Sequence, residues 1–157
     1  MGTGRGAFVA AAMVIALAVA GCGGGGDDTS TAANSVSKAA FIKKVDAVCK
    51  KGTERMQRGI LVFLKHHKGV KRPSKAQSEE LVGSAIVPSV EKEIVAMKAL
   101  EAPQGDEDRF NAIVSALEEG LETAKENPEA VVASSDAVFG ISGRLAAEYG
   151  AEVCGTR

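Results

Sequence analysis

The stretch FIKKVDAVCKKGTERMQRGILVFL, Phe41 to Leu64, decides the fold. Its apolar positions recur every three or four residues: Phe41, Val45, Val48, Gly52, Met56, Ile60 and Phe63 or Leu64. That spacing is the period of a helix with one buried stripe, and no strand-like alternation persists anywhere after Ser37. Ser35 or Ser37 supplies the N-cap, and the helix is expected to run to about His67. Gly52 and Gly59 interrupt it at a cost of about 1 kcal/mol each relative to Ala. They either admit a close neighbour or mark a weak point.

The same period continues downstream. Residues 68–75 (KGVKRPSK) read as a polar loop, after which Ser78-Glu79-Glu80 is expected to open a second helix. Leu81, Val82, Ala85 and Ile86 share a face, and Val90, Ile94, Met97 and Leu100 or Glu101 continue it past Pro88, where the missing N–H should kink or restart the helix. Ala102-Pro103-Gln104-Gly105 stops it. Asp106-Glu107-Asp108 then place acids at a helix start, where the macrodipole favours them. Phe110, Ile113, Val114, Leu117, Leu121 and Ala124 form the third stripe. Asn127-Pro128 is a boundary with Pro at the first helical position. A short helix from Glu129 to Ala133 is expected there. The last helix should begin near Ser134 to Asp136, with Val138, Ile141 or Ser142, Leu145 and Tyr149 on its face, and the chain then ends with Val153-Cys154. Four principal helices with short loops argue for an all-α, up-and-down bundle over residues 38–157. There is no Trp and aromatic content is 4%, so its core is mostly aliphatic.

The N-terminal side carries an address rather than a fold. Arg5 and the amine make a short positive segment, and Ala7 to Ala20 is an unbroken apolar run of 14 residues. That is short for a membrane-spanning helix of about 20 residues and right for a signal sequence. Val19-Ala20-Gly21-Cys22 follows. This order resembles the lipobox of bacterial lipoproteins. The resemblance implies cleavage after Gly21, leaving residues 1–21 as a signal peptide, and acylation of the Cys22 thiol by a lipid anchor, palmitate being a usual acyl component. A myristoylation pattern fails because residue 6 is Gly rather than Ser or Thr. The mature chain would hold 18 basic and 20 acidic residues. Residues 22–37, four Gly followed by Asp, Thr, Ser, Ala and Asn, cannot bury a core and read as a disordered tether of roughly 20 Å. The expected location is the extracytoplasmic face of the cell membrane, with the domain held close to it by the lipid.

Acylation of Cys22 would leave Cys49, beside the first seam, and Cys154, at the chain end. A pair outside the cytoplasm is expected to oxidise, closing a loop of about 106 residues worth up to roughly 4.7 kcal/mol in the chain-entropy picture. Two free buried thiols are the bland alternative. Ala40-Phe41 with Val48-Cys49-Lys50, residues 98–103 (KALEAP) followed by Asp106-Glu107, and Ala146-Ala147-Glu148-Tyr149-Gly150 with Val153-Cys154-Gly155 together resemble small helical lipoproteins of high-GC Gram-positive (actinobacterial) bacteria. That resemblance implies a helical secreted domain with a terminal disulfide, and it implies no activity.

Catalytic signatures do not emerge. His66-His67 are adjacent, so on a helix they diverge by about 100° and rarely serve one metal. Glu79-Glu80, Glu91, Glu93, Asp106 to Asp108, Glu118, Glu119 and Glu122 fall on polar faces or helix starts, where a solvated surface explains them. No H-E-x-x-H, C-x-x-C-H, G-x-S-x-G or phosphate loop is present. The expectation is a non-enzymatic module with no catalytic residue, no metal and no cofactor.

Charge is the feature above background. Residues 38–75 hold 12 basic and two acidic residues, net +10, and residues 76–157 hold six and 16, net −10. Lys43, Lys44, Lys50, Lys51, Arg55, Arg58 and Lys65 spread along the expected exposed side of the first helix. They either pair with acidic neighbours inside the bundle or meet an external anionic lipid, wall polymer or envelope protein. Nucleic acid is excluded as a partner by the expected location. The alternative function is a small-ligand or metal-binding lipoprotein with a pocket between helices, which would need convergent polar groups at core positions.

Overall fold

The computed structural model describes residues 37–156. The expected signal sequence, Cys22 and the expected tether up to residue 36 lie outside them. Helix α1 (Lys38–His66) starts at the Ser37 N-cap, whose side chain accepts a hydrogen bond from the Ala40 N–H. Its buried residues are Phe41, Val45, Cys49, Gly52 and Phe63. The stripe therefore passes through Cys49 rather than Val48, and Phe63 rather than Leu64 closes it. Gly59 admits a neighbour: a Cβ placed there would lie 2.5 Å from the Ala85 Cβ and 2.9 Å from its Cα. Because backbone is what it would strike, α1 crosses its partner only where Gly stands.

The second arm begins earlier than the acids at Glu79-Glu80 suggest. Helix α2 (Lys75–Leu81) is capped by Ser74, which accepts from the Gln77 N–H while the Gln77 side chain accepts from the Ser74 N–H. Ser74 and Gln77 form a complete capping box, so Ser78 becomes a buried residue inside the helix. A π turn, Val82–Ile86, joins α2 to α3 (Val87–Lys98), and the Val87 N–H reaches back to the Val82 carbonyl. That wider turn sits directly before Pro88, whose ring and missing N–H disrupt an ordinary α turn. The restart expected at Pro88 thus takes the form of a π turn within one continuous arm.

Helix α4 (Glu107–Glu126) buries Phe110, Ile113, Val114, Leu117, Leu121 and Ala124 as its stripe foretells. Asn127 caps the short α5 (Pro128–Ala133), and Ser134 caps α6 (Ser135–Tyr149). Gly150 ends α6 with φ 104°, the left-handed C-cap that Gly adopts without strain. The chain then reverses into a single helical turn, α7 (Glu152–Gly155), instead of carrying Cys154 on the last long helix.

The arms α1, α2–α3, α4 and α5–α6 form an all-α up-and-down bundle. α1 packs on the π turn and α3, α3 on α4, and α4 on α6. Phe41, Val45, Val90, Met97, Ile113, Leu117 and Ala146 are among the residues of the common core. The fourth side of the bundle is not closed in this way. The backbones of α1 and α6 do not pack on each other; α7 packs on both and stands between them. Cys49 and Cys154 are disulfide-bonded, with Cα atoms 5.2 Å apart and a separation of 105 positions in sequence. The Val153 N–H adds a hydrogen bond to the Asp46 carboxylate on α1 at 3.0 Å.

Candidate functional site

Two features of this bundle could meet a partner: the outward face of α1, and a cleft along its edge. Lys43, Lys44, Lys50, Lys51 and Arg58 are all exposed, while Arg55 is half-buried and so departs from the exposed row expected of it. Lys43, Lys50, Arg58, Leu61 and Lys65 stand at steps of seven, eight, three and four residues, which puts them on one outward stripe. The first helix makes one ion pair among the described residues, between Lys38 and Asp106 at 3.2 Å. Elsewhere Glu118 pairs with Lys98, Glu91 and Glu122 with Lys125, and Glu148 with Arg144. The basic stripe therefore faces outward rather than into the acidic helices. At its far end Leu61, Val62 and Leu64 are exposed by 59%, 54% and 46%, an apolar patch beside Lys65 and Lys68.

The cleft has a volume of about 440 Å³. It runs between α1 and the α5–α6 arm, where α7 holds the two apart. Buried Ile86, Val90, Leu117 and Val131, with half-buried Met56 and Phe139, make its floor. Exposed Lys50, Glu54, Gln57, Ser135 and Thr156 stand at its mouth. Lys50 belongs to both features: it lies on the basic stripe and at the edge of the cleft.

Glu93 departs most from its sequence reading. Instead of sitting on a solvated face, it is fully buried against α1. A Cβ on Gly52 would overlap its carboxylate, so Gly52 is the space Glu93 occupies. Its Oε1 lies 3.6 Å from the Cys49 sulfur, which as a disulfide sulfur has no proton to donate. The signal in the sequence was the glycine in the middle of an apolar stripe, opposite an acid one residue from a buried Ile.

The two histidines part company. His66 is exposed, whereas His67 caps α1, lies against Phe63 with ring centroids 4.4 Å apart, and bridges Gln77 and Glu80 of α2. His67 is thus a latch between two helices. Among the described residues no group of three His, Cys, Asp or Glu side chains could hold a metal, and no helix is long and apolar enough to cross a membrane. No protein-family model, curated protein or solved structure matches the chain.

Proposed function

We propose that this chain is a lipid-anchored, extracytoplasmic module of a bacterial cell envelope that acts by binding rather than by catalysis, with α1 as its contact with an anionic surface. The observation that carries the reading is the outward stripe of α1. Its cations have no acidic partner among the described residues, and it begins directly where the tether ends. A helix of 29 residues is about 44 Å long. Laid along a surface, it would present every cation of the stripe at once, each contributing about 1 kcal/mol near anionic lipid. The exposed Leu61 and Leu64 would add apolar contact at the end farthest from the tether.

Two measurements test this. Cys22→Ala should release the protein from the membrane fraction or leave an uncut precursor; wild-type processing and fractionation of that variant would remove the anchor from the proposal. Residues 38–157 without lipid should bind anionic vesicles at low salt and dissociate as salt shortens the screening length to about 10 Å near 0.1 M. Replacing Lys43, Lys44, Lys50, Lys51 and Arg58 with Gln should abolish binding while the helical signal persists. If the unmutated domain ignores anionic vesicles at low ionic strength but binds anionic wall polymer, the surface is the polymer. If it ignores both, the stripe is only solvated.

A further inference from the structure

We infer that the cleft between α1 and the α5–α6 arm binds the alkyl chain of a single-chain anionic amphiphile, of which a long-chain fatty acid is the simplest. The floor decides the ligand class. Ile86, Val90, Leu117, Val131, Met56 and Phe139 offer no side-chain hydrogen-bond partner and half-buried Thr53 adds a single hydroxyl, whereas a sugar, nucleotide or amino acid would leave most of its polar groups unsatisfied there. An alkyl chain has no such requirement, and aliphatic walls impose no direction on it. The size agrees. A volume of about 440 Å³ lies in the range of small-molecule sites. At roughly 30 Å³ for a group the size of water, it matches a chain of on the order of 15 carbons.

The cleft is held open by covalent and hydrogen-bonded structure. The Cys49–Cys154 bond and the Asp46 to Val153 hydrogen bond fix α7 to α1. Held there, α7 keeps α1 from collapsing onto α6.

The mouth chooses the head group. Lys50 stands there as part of the outward stripe with Arg58, and it forms no ion pair among the described residues. Glu54 is the one acid at the mouth. The other acid of α1, Asp46, is engaged by the Val153 N–H. Lys50 at the opening, with Arg58 on the same stripe, favours an anion over a cation there.

Washed membranes carrying the full chain, incubated with a free fatty acid bearing a photoactivatable diazirine near its methyl end, test the assignment. Irradiation and mass spectrometry should place the label on Met56, Leu117 or Phe139, and unlabelled fatty acid should compete it away. Met56→Trp puts bulk into the cleft from a half-buried position and should cut labelling about tenfold or more with the disulfide intact and helicity unchanged. Lys50→Glu should raise the half-saturating concentration of the acid by up to about fivefold and leave that of a matched fatty alcohol unchanged. Label confined to Leu61, Val62 and Leu64, label that is not competed, or label indifferent to Met56→Trp would overturn the site. Equal shifts of acid and alcohol in Lys50→Glu would overturn the anionic head group.

Discussion

At the scale of single residues the bundle turns on Gly52 and Glu93. A carboxyl wholly out of water is an expensive group, and its presence beside the disulfide means that α1 and α3 are shaped around it. Overpacking a rigid site costs about 1–3 kcal/mol, and here the obstruction is the tip of Glu93, which is wholly buried and has little room to move aside. Gly52→Ala should therefore lower stability by about 2 kcal/mol or more, despite the better helix propensity of Ala. In a Glu93→Ala background the same change should cost at least about 1 kcal/mol less, because the space it invades is empty. Urea midpoints at constant slope measure both arms. Equal costs in the two backgrounds would mean that Gly52 does not exist to seat Glu93. The same pair shows why part of the molecule was hidden from sequence. Composition places an acid outside, and only the partner across the interface, a glycine 41 positions earlier, says otherwise.

At the scale of elements, periodicity specifies helices well and their ends less well. The stripes of α1 and α4 are legible because long apolar faces repeat many times over. The start of α2 is not, because a single Ser74–Gln77 box outweighs the more conspicuous acids after Ser78. Where helix ends meet, side chains lock them. The Asp106 carboxylate at the start of α4 accepts from the Lys38 ammonium at 3.2 Å and the Tyr149 hydroxyl at 3.1 Å. Lys38 also lies 4.3 Å over the Tyr149 ring. Burial first, then the hydrogen bond to Asp106 and its negative charge, push the Tyr149 hydroxyl up from 10.0 to about 12. The folded state thus holds this proton more tightly than the unfolded chain. The resulting stability is complete below about pH 10 and is lost as pH rises through about 12. Between those values wild type should lose stability more steeply than Tyr149→Phe, which has no hydroxyl to ionise. Urea midpoints of both proteins from pH 8 to pH 11.5 measure this; parallel pH profiles would remove Tyr149 from the account.

At the scale of the whole molecule, the segregation of charge was legible by counting, and the chain pairing of Cys49 with Cys154 followed from cysteine arithmetic. The cleft was not legible. Periodicity reports that α1 and α6 each have an apolar side, but not that α7 is inserted between them. That spacing arises only when the six helices and the final turn assemble. The disulfide therefore has two consequences that can be separated. It shortens the unfolded chain's freedom by bridging 105 positions, an effect of about 2–5 kcal/mol for native bonds of small domains. It also pins α7, a turn too short to persist alone. Cys49→Ser with Cys154→Ser should thus lower global stability by about 2–5 kcal/mol. In addition, the backbone amides of α7 and the last turn of α6 should exchange with solvent near the rate of local opening, while those at Ile113 to Leu121 of α4 still report the global value. If exchange slows and quickens uniformly along the chain, the bond acts only on the unfolded state. If α7 and the last turn of α6 lose protection beyond the global loss, the bond also pins α7 between the first and last helices, and any ligand of the cleft should bind the oxidised protein in preference to the reduced one.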